Sequence, residues 1–418
     1  MKSLGIFFAA LGVVYAAAQS KVSYDGVKVF RVPVEDDASV AEIEDIIASL
    51  QLDVWKPPQK AGAFADVVVP PSKLAEFENR VAGKDVIVMH EDLGASIEEE
   101  SAPSSFNEKR ADISWFNSYH SYQDHLTWLR SLQASYPANS AIVSSGTSTQ
   151  GNTITGIHFY GNGGKGKPAV IFHGTVHARE WISTMVNEYL AYALLTGYGS
   201  DAEIKGFLDK YDFYIFPVVN PDGFIYTQTS ERLWRKNRQR IASSNCIGTD
   251  VNRNWPYKWT GAGSSTNPCS DTYRGEAQAS ASETKGLSQF INNVKSSQGL
   301  KLYIDWHSYS QLFMSPYGWS CTALPPKHAE FQSLLQGTTA AITAVHGTRF
   351  RYGPICNTIY QVAGSSVDYV NDVVAGDYTF TAELRDTGNS GFVLPPSQIL
   401  PSGEETFAGV RYLLRNMR

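Results

Sequence analysis

The run Ala169-Val170-Ile171-Phe172 constrains the fold of this chain more than any other feature, because all four side chains are apolar. A strand with no polar face must be covered on both sides, which is typical of parallel sheets in α/β domains. A long helical pattern follows, beginning at Trp181, and His177-Ala178-Arg179-Glu180 lies between the two. A histidine and a carboxylate three residues apart can turn towards one cation, and a catalytic zinc takes three such ligands. Many surface helices carry such a pair by chance, so a metal site requires further residues.

The N-terminus predicts export. Lys2 precedes an apolar stretch from Leu4 to Val14 and the small residues Ala16-Ala17-Ala18, which is the pattern of a secretory signal. We expect residues 1–18 to be removed and the mature protein to be secreted. No later run of about 20 apolar residues predicts a membrane span. The formal charge of −6 argues against a nucleic-acid partner.

Residues 19–90 predict a small α+β domain. Strand patterns run over 26–34, 52–56, 63–69 and 85–90, and helical patterns lie between the first and second and between the third and fourth of these. Ser39 and Glu42 have capping-box spacing and predict the start of the first helix. The order β-α-β-β-α-β is that of a ferredoxin-like domain, with an antiparallel sheet and two helices on one face.

Residues 91–110 are rich in Glu, Ser, Ala and Pro and end in Lys109-Arg110. Segments this polar rarely pack, so we predict an exposed linker with a dibasic processing site. Residues 19–110 hold 10 basic and 18 acidic side chains. An acidic module on a cleavable linker indicates an inhibitory prodomain released by an activating protease.

Residues 111–418 predict one large domain in which strands alternate with helices. The fully apolar strand pattern at 169–172 and the buried-strand candidates at 211–219 and 300–305 alternate with helical patterns at 122–136, 282–295, 329–345 and 404–416. The predicted fold is therefore α/β, with a mixed, largely parallel central sheet and helices on both faces. The carboxyl ends of its parallel strands share one edge, where sites form.

Two further strand ends carry polar residues. His307 follows the apolar strand Leu302–Trp306 and is a candidate third ligand, with His173, His158 and His328 as weaker rivals. Glu383 lies in a strand pattern of apolar and β-branched residues, where an acid is costly to bury without a role or a partner. Arg253 between two asparagines, together with Arg235 nearby, indicates an anionic ligand such as a carboxylate.

The four cysteines all lie in the second half of the chain, at positions 246, 269, 321 and 356. An even number of cysteines in an exported protein predicts two disulfides. Three pairings are possible from the spacing alone.

The motifs HARE, RLWRKNR, DVNRNW, HSYSQ, TIYQVAGSS and TAELRDTG together resemble those of the secreted zinc metallocarboxypeptidases of the pancreatic carboxypeptidase A/B type. The likeness extends from the prodomain to Arg418. It implies an exopeptidase that binds one Zn²⁺ per chain, is made as an inactive zymogen and is inhibited by its own prodomain.

The resemblance also implies roles for individual residues. His177, Glu180 and His307 resemble the zinc ligands, Glu383 the general base and Arg235 the residue that polarises the scissile carbonyl. The residues that resemble substrate-binding positions are Asn252, Arg253 and Tyr360 for the terminal carboxylate, and Arg179 and Tyr309 for the outer subsites. The family pairs Cys246 with Cys269, and some members also pair Cys321 with Cys356.

The resemblance places Val367 at the position that sets side-chain preference, where an acid selects Lys or Arg. Ile355, Ile359, Val362 and Thr381 match other pocket positions. We therefore expect aromatic or large aliphatic C-terminal residues to be preferred. Asp368 is the nearest acid, and it points away if the segment is extended.

Three alternatives remain at this stage: a non-catalytic binding protein with the same fold, a zinc hydrolase of small acylated amino acids, and an acidic carrier with an incidental metal site. We expect a monomer whose partners are peptide or protein C-termini, its own prodomain and the activating protease.

Overall fold

The structure is a computed structural model that describes residues 21–101 and 112–418. The predicted signal peptide and the Lys109-Arg110 pair lie outside the described residues. Among those described, no helix combines the length and the apolar character needed to cross a membrane.

The first unit is the predicted ferredoxin-like domain. Its elements are β1 (Lys28–Pro33), α1 (Asp37–Leu50), β2 (Asp53–Lys56), β3 (Phe64–Val69), α2 (Leu74–Arg80) and β4 (Ile87–His90). The strands pair antiparallel in the order β2-β3-β1-β4. Alternate apolar side chains of the strands pack against both helices, with Val32, Val67 and Ile43 almost fully buried.

The start of α1 differs from the prediction. Ser39 is not the N-cap, because the carboxylate of Asp36 accepts a hydrogen bond from the Ser39 backbone N–H at 2.8 Å and caps the helix three residues earlier. A carboxylate at this position also interacts favourably with the helix dipole.

The prediction of an exposed linker is wrong for its first half. Residues Leu93–Glu100 form α3, which Asp92 caps by accepting from the Ala95 N–H at 3.2 Å. Leu93 and Ile97 lie one helical turn apart and are buried. They pack in a cluster with aromatic side chains of the large domain, which is why this polar-looking segment is ordered against it.

The second unit contains the remaining elements. Its helices are α4 (Tyr122–Ser135), α5 (Trp181–Gly197), α6 (Ala202–Lys210), α7 (Pro221–Thr229), α8 (Ser282–Gln298), α9 (His328–His346), α10 (Ile355–Thr358), α11 (Ser366–Asp372) and α12 (Ile399–Asn416). Its strands are β5 (Ser140–Thr147), β6 (Thr153–Phe159), β7 (Ala169–Gly174), β8 (Asp212–Phe216), β9 (Leu300–His307), β10 (Leu312–Ser315), β11 (Arg351–Pro354) and β12 (Tyr378–Glu383).

The large domain is built on one mixed sheet of eight strands in the order β11-β10-β12-β9-β7-β8-β6-β5. The four central strands, β12, β9, β7 and β8, run parallel to one another. Successive side chains of β7 enter different cores: Val170 and Phe172 pack with α5, α9 and α12, whereas Ala169 and Ile171 pack with α8 and α11. Burial on both faces explains why this strand is apolar throughout, and the predicted α/β class is confirmed.

Both predicted disulfides are formed. Cys246 bonds to Cys269, and Cys321 bonds to Cys356. The first closes a loop that includes residues 250–253, and the second holds the start of α10, just before Tyr360.

Candidate active site

The His177–Glu180 segment leaves the end of β7 at a tight contact with α5. A Cβ atom on Gly174 would lie 2.6 Å from Asn187 Nδ2 and 3.0 Å from the Ser183 carbonyl oxygen, so glycine is required there. Ser183 Oγ accepts from the Thr175 N–H at 3.0 Å and donates to the Glu180 carbonyl oxygen at 2.7 Å. These bonds fix the segment that carries the histidine and the glutamate.

The three predicted metal donors converge. His177 Nδ1 lies 2.8 Å from Glu180 Oε1, and His307 Nδ1 lies 2.9 Å from Glu180 Oε2. The two Nδ1 atoms are 3.1 Å apart, and the three side chains are buried. Burial opposes ionisation of Glu180, yet the two imidazoles hold the pKa of its carboxyl below the usual value. His173, His158 and His328 do not belong to this donor group.

Asp250 supports the donor group from behind. Its Oδ1 lies 3.1 Å from His177 Nε2, and its Oδ2 accepts from Arg235 Nη2 at 2.8 Å. Burial alone would raise the pKa of Asp250, but Arg235 and His177 hold it well below its usual range. One ionised carboxylate thus orients both a metal donor and a guanidinium, whose Nη1 lies 3.9 Å from Glu180 Oε1.

Glu383 reaches the same place from a different strand. It is the last residue of β12 and pairs in register with His307 at the end of β9. Burial raises the pKa of Glu383 to about 8, with the nearby Glu180 carboxylate adding to the rise and His307 opposing it. Its side chain lines a cleft with His177, Glu180 and Arg235. A carboxyl group poised near neutrality beside a metal-donor group can exchange protons.

The three predicted carboxylate-binding residues line a second pocket, which shares His177, Tyr360 and Glu383 with this cleft. Asn252 Oδ1 accepts from the Ser366 N–H at 2.9 Å, and Arg253 Nη1 donates to the Asn252 carbonyl oxygen at 3.0 Å. The Arg253 guanidinium lies 6.0 Å from the centre of the Tyr360 ring. Asn252 Nδ2 lies 3.1 Å from His307 Nε2, and the Arg253 guanidinium lines the pocket as a cationic group of the kind that binds carboxylates.

Besides these site residues, the lining of the pocket is mostly apolar. It consists of Met314, Ile355, Ile359, Val362 and Val367, with the hydroxyl residues Ser365 and Thr381. Asp368 does not line the pocket, because its carboxylate accepts from the N–H groups of Gly318 and Trp319 at 2.9 to 3.0 Å. The prediction that Asp368 points away is confirmed, but its stated reason is wrong, since the segment is helical rather than extended.

Comparison with known proteins identifies the family. A model described as zinc carboxypeptidase matches residues 125–409, and one described as carboxypeptidase activation peptide matches residues 30–100. The chain belongs to the zinc carboxypeptidase family. It is a zinc metallocarboxypeptidase with an activation peptide, and the peptide match extends through α3.

Relatives of this carboxypeptidase match along the whole chain. It is similar to metallocarboxypeptidase A of Trichophyton equinum, at 52% identity over 99% of this chain and 98% of that protein. It is similar to carboxypeptidase A4 of Mus musculus, at 36% identity over 99% and 98%. Among solved structures, carboxypeptidase A from Helicoverpa armigera matches with a TM-score of 0.81, at 27% identity over 94% and 97%. Thrombin activatable fibrinolysis inhibitor matches with a TM-score of 0.87, at 27% identity over 93% and 98%.

The donor group of this carboxypeptidase suits zinc. Two imidazole nitrogens and a carboxylate are the ligand types of catalytic zinc sites, and all donor atoms lie within 4.8 Å of one another. The outward Nε2 atom of each histidine faces a buried carboxylate, Asp250 for His177 and Asp305 for His307. Such partners leave the Nδ1 atoms available to a metal.

The activation peptide of the carboxypeptidase covers this group. Trp55, Lys56 and Pro57, at the end of β2 and beyond, line the same cleft as the metal donors and Glu383. The Trp55 ring meets the rings of Tyr309 and Phe392 edge to face, with centroids 6.3 and 5.4 Å apart. Arg179 and Tyr309 thus lie on the activation-peptide side of the site, where Tyr309 donates a hydrogen bond to Asp66 of β3.

Two buried ion pairs strengthen this contact. In the first, Arg31 binds Asp66 through two hydrogen bonds of 2.7 Å, inside the activation peptide and next to Tyr309. In the second, Glu100 of α3 binds Arg232 of the large domain through bonds of 2.6 and 2.7 Å. Both members of the second pair are 1% exposed, so it is completely desolvated.

Sequence reasoning missed several of these residues. Glu100 could have been found from the spacing of Leu93 and Ile97, which places it on the buried face of a helix. Asp305 could have been found by the argument used for Glu383, because it too is an acid inside an apolar strand. No pattern in the sequence indicated the pairing of Asp66 with Tyr309, since the two residues come from different domains.

Proposed function

We propose that this carboxypeptidase is secreted and removes single aromatic or large aliphatic residues from the C-termini of peptides. The observation that carries the proposal is the apolar pocket beside Asn252, Arg253 and Tyr360, a short distance from the His177, Glu180 and His307 group. Secretion is supported by the signal-like N-terminus and by the two disulfides.

The binding residues limit cleavage to the last peptide bond. Arg253 and Asn252 hold the terminal carboxylate, and the side chain of the last residue enters the pocket formed by Ile355, Val367 and Thr381. An internal peptide segment would leave these buried donors without a partner, which such sites discriminate against strongly. Arg179 and Tyr309 contact residues further from the terminus.

The chemical roles follow from position. Zinc held by His177, Glu180 and His307 would polarise the scissile carbonyl and acidify water. Glu383 takes the proton of the attacking water and returns it to the leaving amine, which requires a carboxyl that titrates near the working pH. Arg235, held by Asp250, donates to the carbonyl oxygen as negative charge develops on it.

The activation peptide keeps the enzyme inactive by occupying the cleft. Its residues Trp55 to Pro57 lie where substrate must enter, and the Tyr309 hydroxyl is bound to Asp66. Cleavage near Lys109-Arg110 and release of the peptide expose the site. The uncleaved chain is expected to be nearly inactive on peptide substrates.

The test is a rate profile over N-blocked dipeptides that differ only in the last residue. Substrates ending in Phe or Leu should be cut much faster than those ending in Lys or Arg, and a dipeptide amide should resist cleavage. Equal rates over all side chains would contradict the pocket assignment. If small acylated amino acids were hydrolysed rapidly and peptides slowly, the protein would instead be a zinc hydrolase of acylated amino acids. If the protein bound zinc but turned over no substrate, it would be a non-catalytic binding protein.

A further inference from the structure

Asp305 is a buried carboxylate at the centre of the large sheet. It lies in β9 two residues before His307 and is flanked in register by His173 of β7 and Thr381 of β12. Its side chain is completely buried, at 0% exposure. An ionised carboxylate in such a place is costly unless nearby groups compensate for its charge.

The partners of Asp305 are two imidazoles and a hydroxyl. Oδ1 lies 3.0 Å from His307 Nε2 and 3.4 Å from His173 Nδ1, and Oδ2 accepts from Ser366 Oγ at 2.5 Å. Over the described ranges, no lysine or arginine lies within 4 Å of this carboxylate. The charge of a buried carboxylate must be compensated by hydrogen-bond donors or by charged partners. The groups beside the Asp305 carboxylate are instead two imidazoles, and one of them, His307, belongs to the metal-donor group.

Imidazole nitrogens approach Asp305 from both neighbouring strand ends. The Tyr303 hydroxyl lies 2.6 Å from His173 Nε2, and when it donates there, the His173 proton is on Nδ1, 3.4 Å from Asp305 Oδ1. His307 Nε2 lies between Asp305 Oδ1, at 3.0 Å, and Asn252 Nδ2, at 3.1 Å. When Nδ1 is given to a metal, Nε2 carries the proton, and Asp305 Oδ1 is then its acceptor because an amide nitrogen can only donate. Oδ1 therefore lies within 3.4 Å of two imidazole nitrogens, His307 Nε2 and His173 Nδ1, and neither contact has full hydrogen-bond geometry in this structure.

Ser366 connects this group to the substrate side. Its hydroxyl binds Asp305, and its backbone N–H donates to Asn252 Oδ1 at 2.9 Å. Asn252 is one of the proposed carboxylate-binding residues, and Val367 of the pocket follows Ser366 in α11. The Asp305 carboxylate therefore contacts both a metal donor, His307, and the hydroxyl of Ser366, whose backbone is bonded to the carboxylate-binding residue Asn252.

We propose that Asp305 is a positioning residue for His307, which it holds as the Nε2–H tautomer with Nδ1 directed at the metal. The proposal rests on the proposed function, in which His307 is a zinc ligand. Asp305 differs from Asp250, which divides its carboxylate between His177 and Arg235, because its two imidazole partners lie on one oxygen. Loss of such a partner typically weakens metal binding 10- to 100-fold.

The experiment measures zinc affinity of the full-length protein by competition with a chelating indicator. The variant Asp305→Asn keeps the shape but loses the charge, and should bind zinc roughly 10- to 100-fold more weakly. The matched control is Asp212→Asn in β8, a buried aspartate of the same sheet whose Oδ2 lies 3.1 Å from His158 Nε2, outside the donor group. Its zinc affinity should equal that of the wild type.

A structural role would lower the melting temperature of both variants and leave both zinc affinities unchanged, and that result would overturn the proposal. If Asp305→Asn does not fold, Ser366→Ala decides: it should weaken zinc binding roughly 2- to 5-fold, and an unchanged affinity would refute the proposal.

In the Co²⁺-loaded protein, the visible absorption bands of Asp305→Asn should shift while those of Asp212→Asn do not. A wild-type protein that binds no zinc would overturn the proposed function as well, whereas normal wild-type binding with an unaffected Asp305→Asn would overturn this inference alone.

Discussion

The Glu100–Arg232 pair allows a quantitative test of how the activation peptide is held. Removing one member of a buried pair typically costs 3–5 kcal/mol, because the other charge is left without compensation. The cost here should be near the lower end. Arg232 also donates to the carbonyl oxygens of Arg179 and Phe392, both at 2.9 Å, and lies 3.8 Å above the Trp181 ring.

Glu100→Gln should therefore weaken binding of the cleaved peptide by about 3 kcal/mol. Since about 1.4 kcal/mol corresponds to a factor of ten, the dissociation constant should rise roughly 100-fold. Burial raises the pKa of Glu100 even though Arg232 opposes it, so desolvation offsets part of the attraction and the estimate should not be higher.

The assay follows activity after proteolysis of the full-length protein, without separating the two fragments. A dilution series then gives the dissociation constant of the peptide from the recovery of activity. The control is Glu99→Gln, the same change of charge at an exposed position of the same helix, which should shift the constant less than about 2-fold. A shift of less than about 3-fold for Glu100→Gln would refute the reasoning.

Three further predictions concern catalysis. Glu383→Gln should bind zinc normally but lower kcat at least about 100-fold, which metal analysis and steady-state kinetics would show; near-normal kcat would exclude Glu383 as the base. In the wild type, kcat/KM should rise with pH through the pKa of Glu383, because only the ionised carboxylate accepts a proton. Bound zinc lowers that pKa, so the rise should be complete below about pH 8. A flat pH profile from about pH 4.5 upward would contradict this role of Glu383. Val367→Asp should slow cleavage of Phe-ended dipeptides roughly 10- to 200-fold and speed that of Lys-ended ones, and unchanged selectivity in paired assays would contradict the role of Val367.

The sequence predicted the architecture because the central strands are largely apolar. The runs that became β7 and β9 are buried on both faces, and their apolar side chains identified central strands even though β9 also holds Lys301 and Asp305. Parallel strands end at one edge, and this rule correctly brought His177, His307 and Glu383 close together. The predicted roles of these residues in catalysis remain predictions.

The contacts between the two domains could not be predicted in the same way. The interface depends on pairs distant in sequence, such as Asp66 with Tyr309, which have no periodic pattern. The polar composition around Glu100 hid a helix whose buried face holds only Leu93, Ile97 and Glu100. The spacing of Leu93 and Ile97 places Glu100 on the buried face, but it does not reveal the partner of Glu100, Arg232, which lies 132 residues away.

The two disulfides have a consequence for the conditions in which the site can work. The metal donors lie at the ends of β7 and β9 and in the loop after β7, which the central sheet holds in place without any covalent link. The carboxylate-binding residues lie instead within or beside the segments closed by Cys246–Cys269 and Cys321–Cys356. Reduction of the Cys246–Cys269 bond would free the loop that carries Asn252 and Arg253, so KM should rise. The same loop carries Asp250, so His177 and Arg235 would lose part of their support as well. One disulfide-closed loop thus serves both the recognition of the chain end and the support of a metal donor.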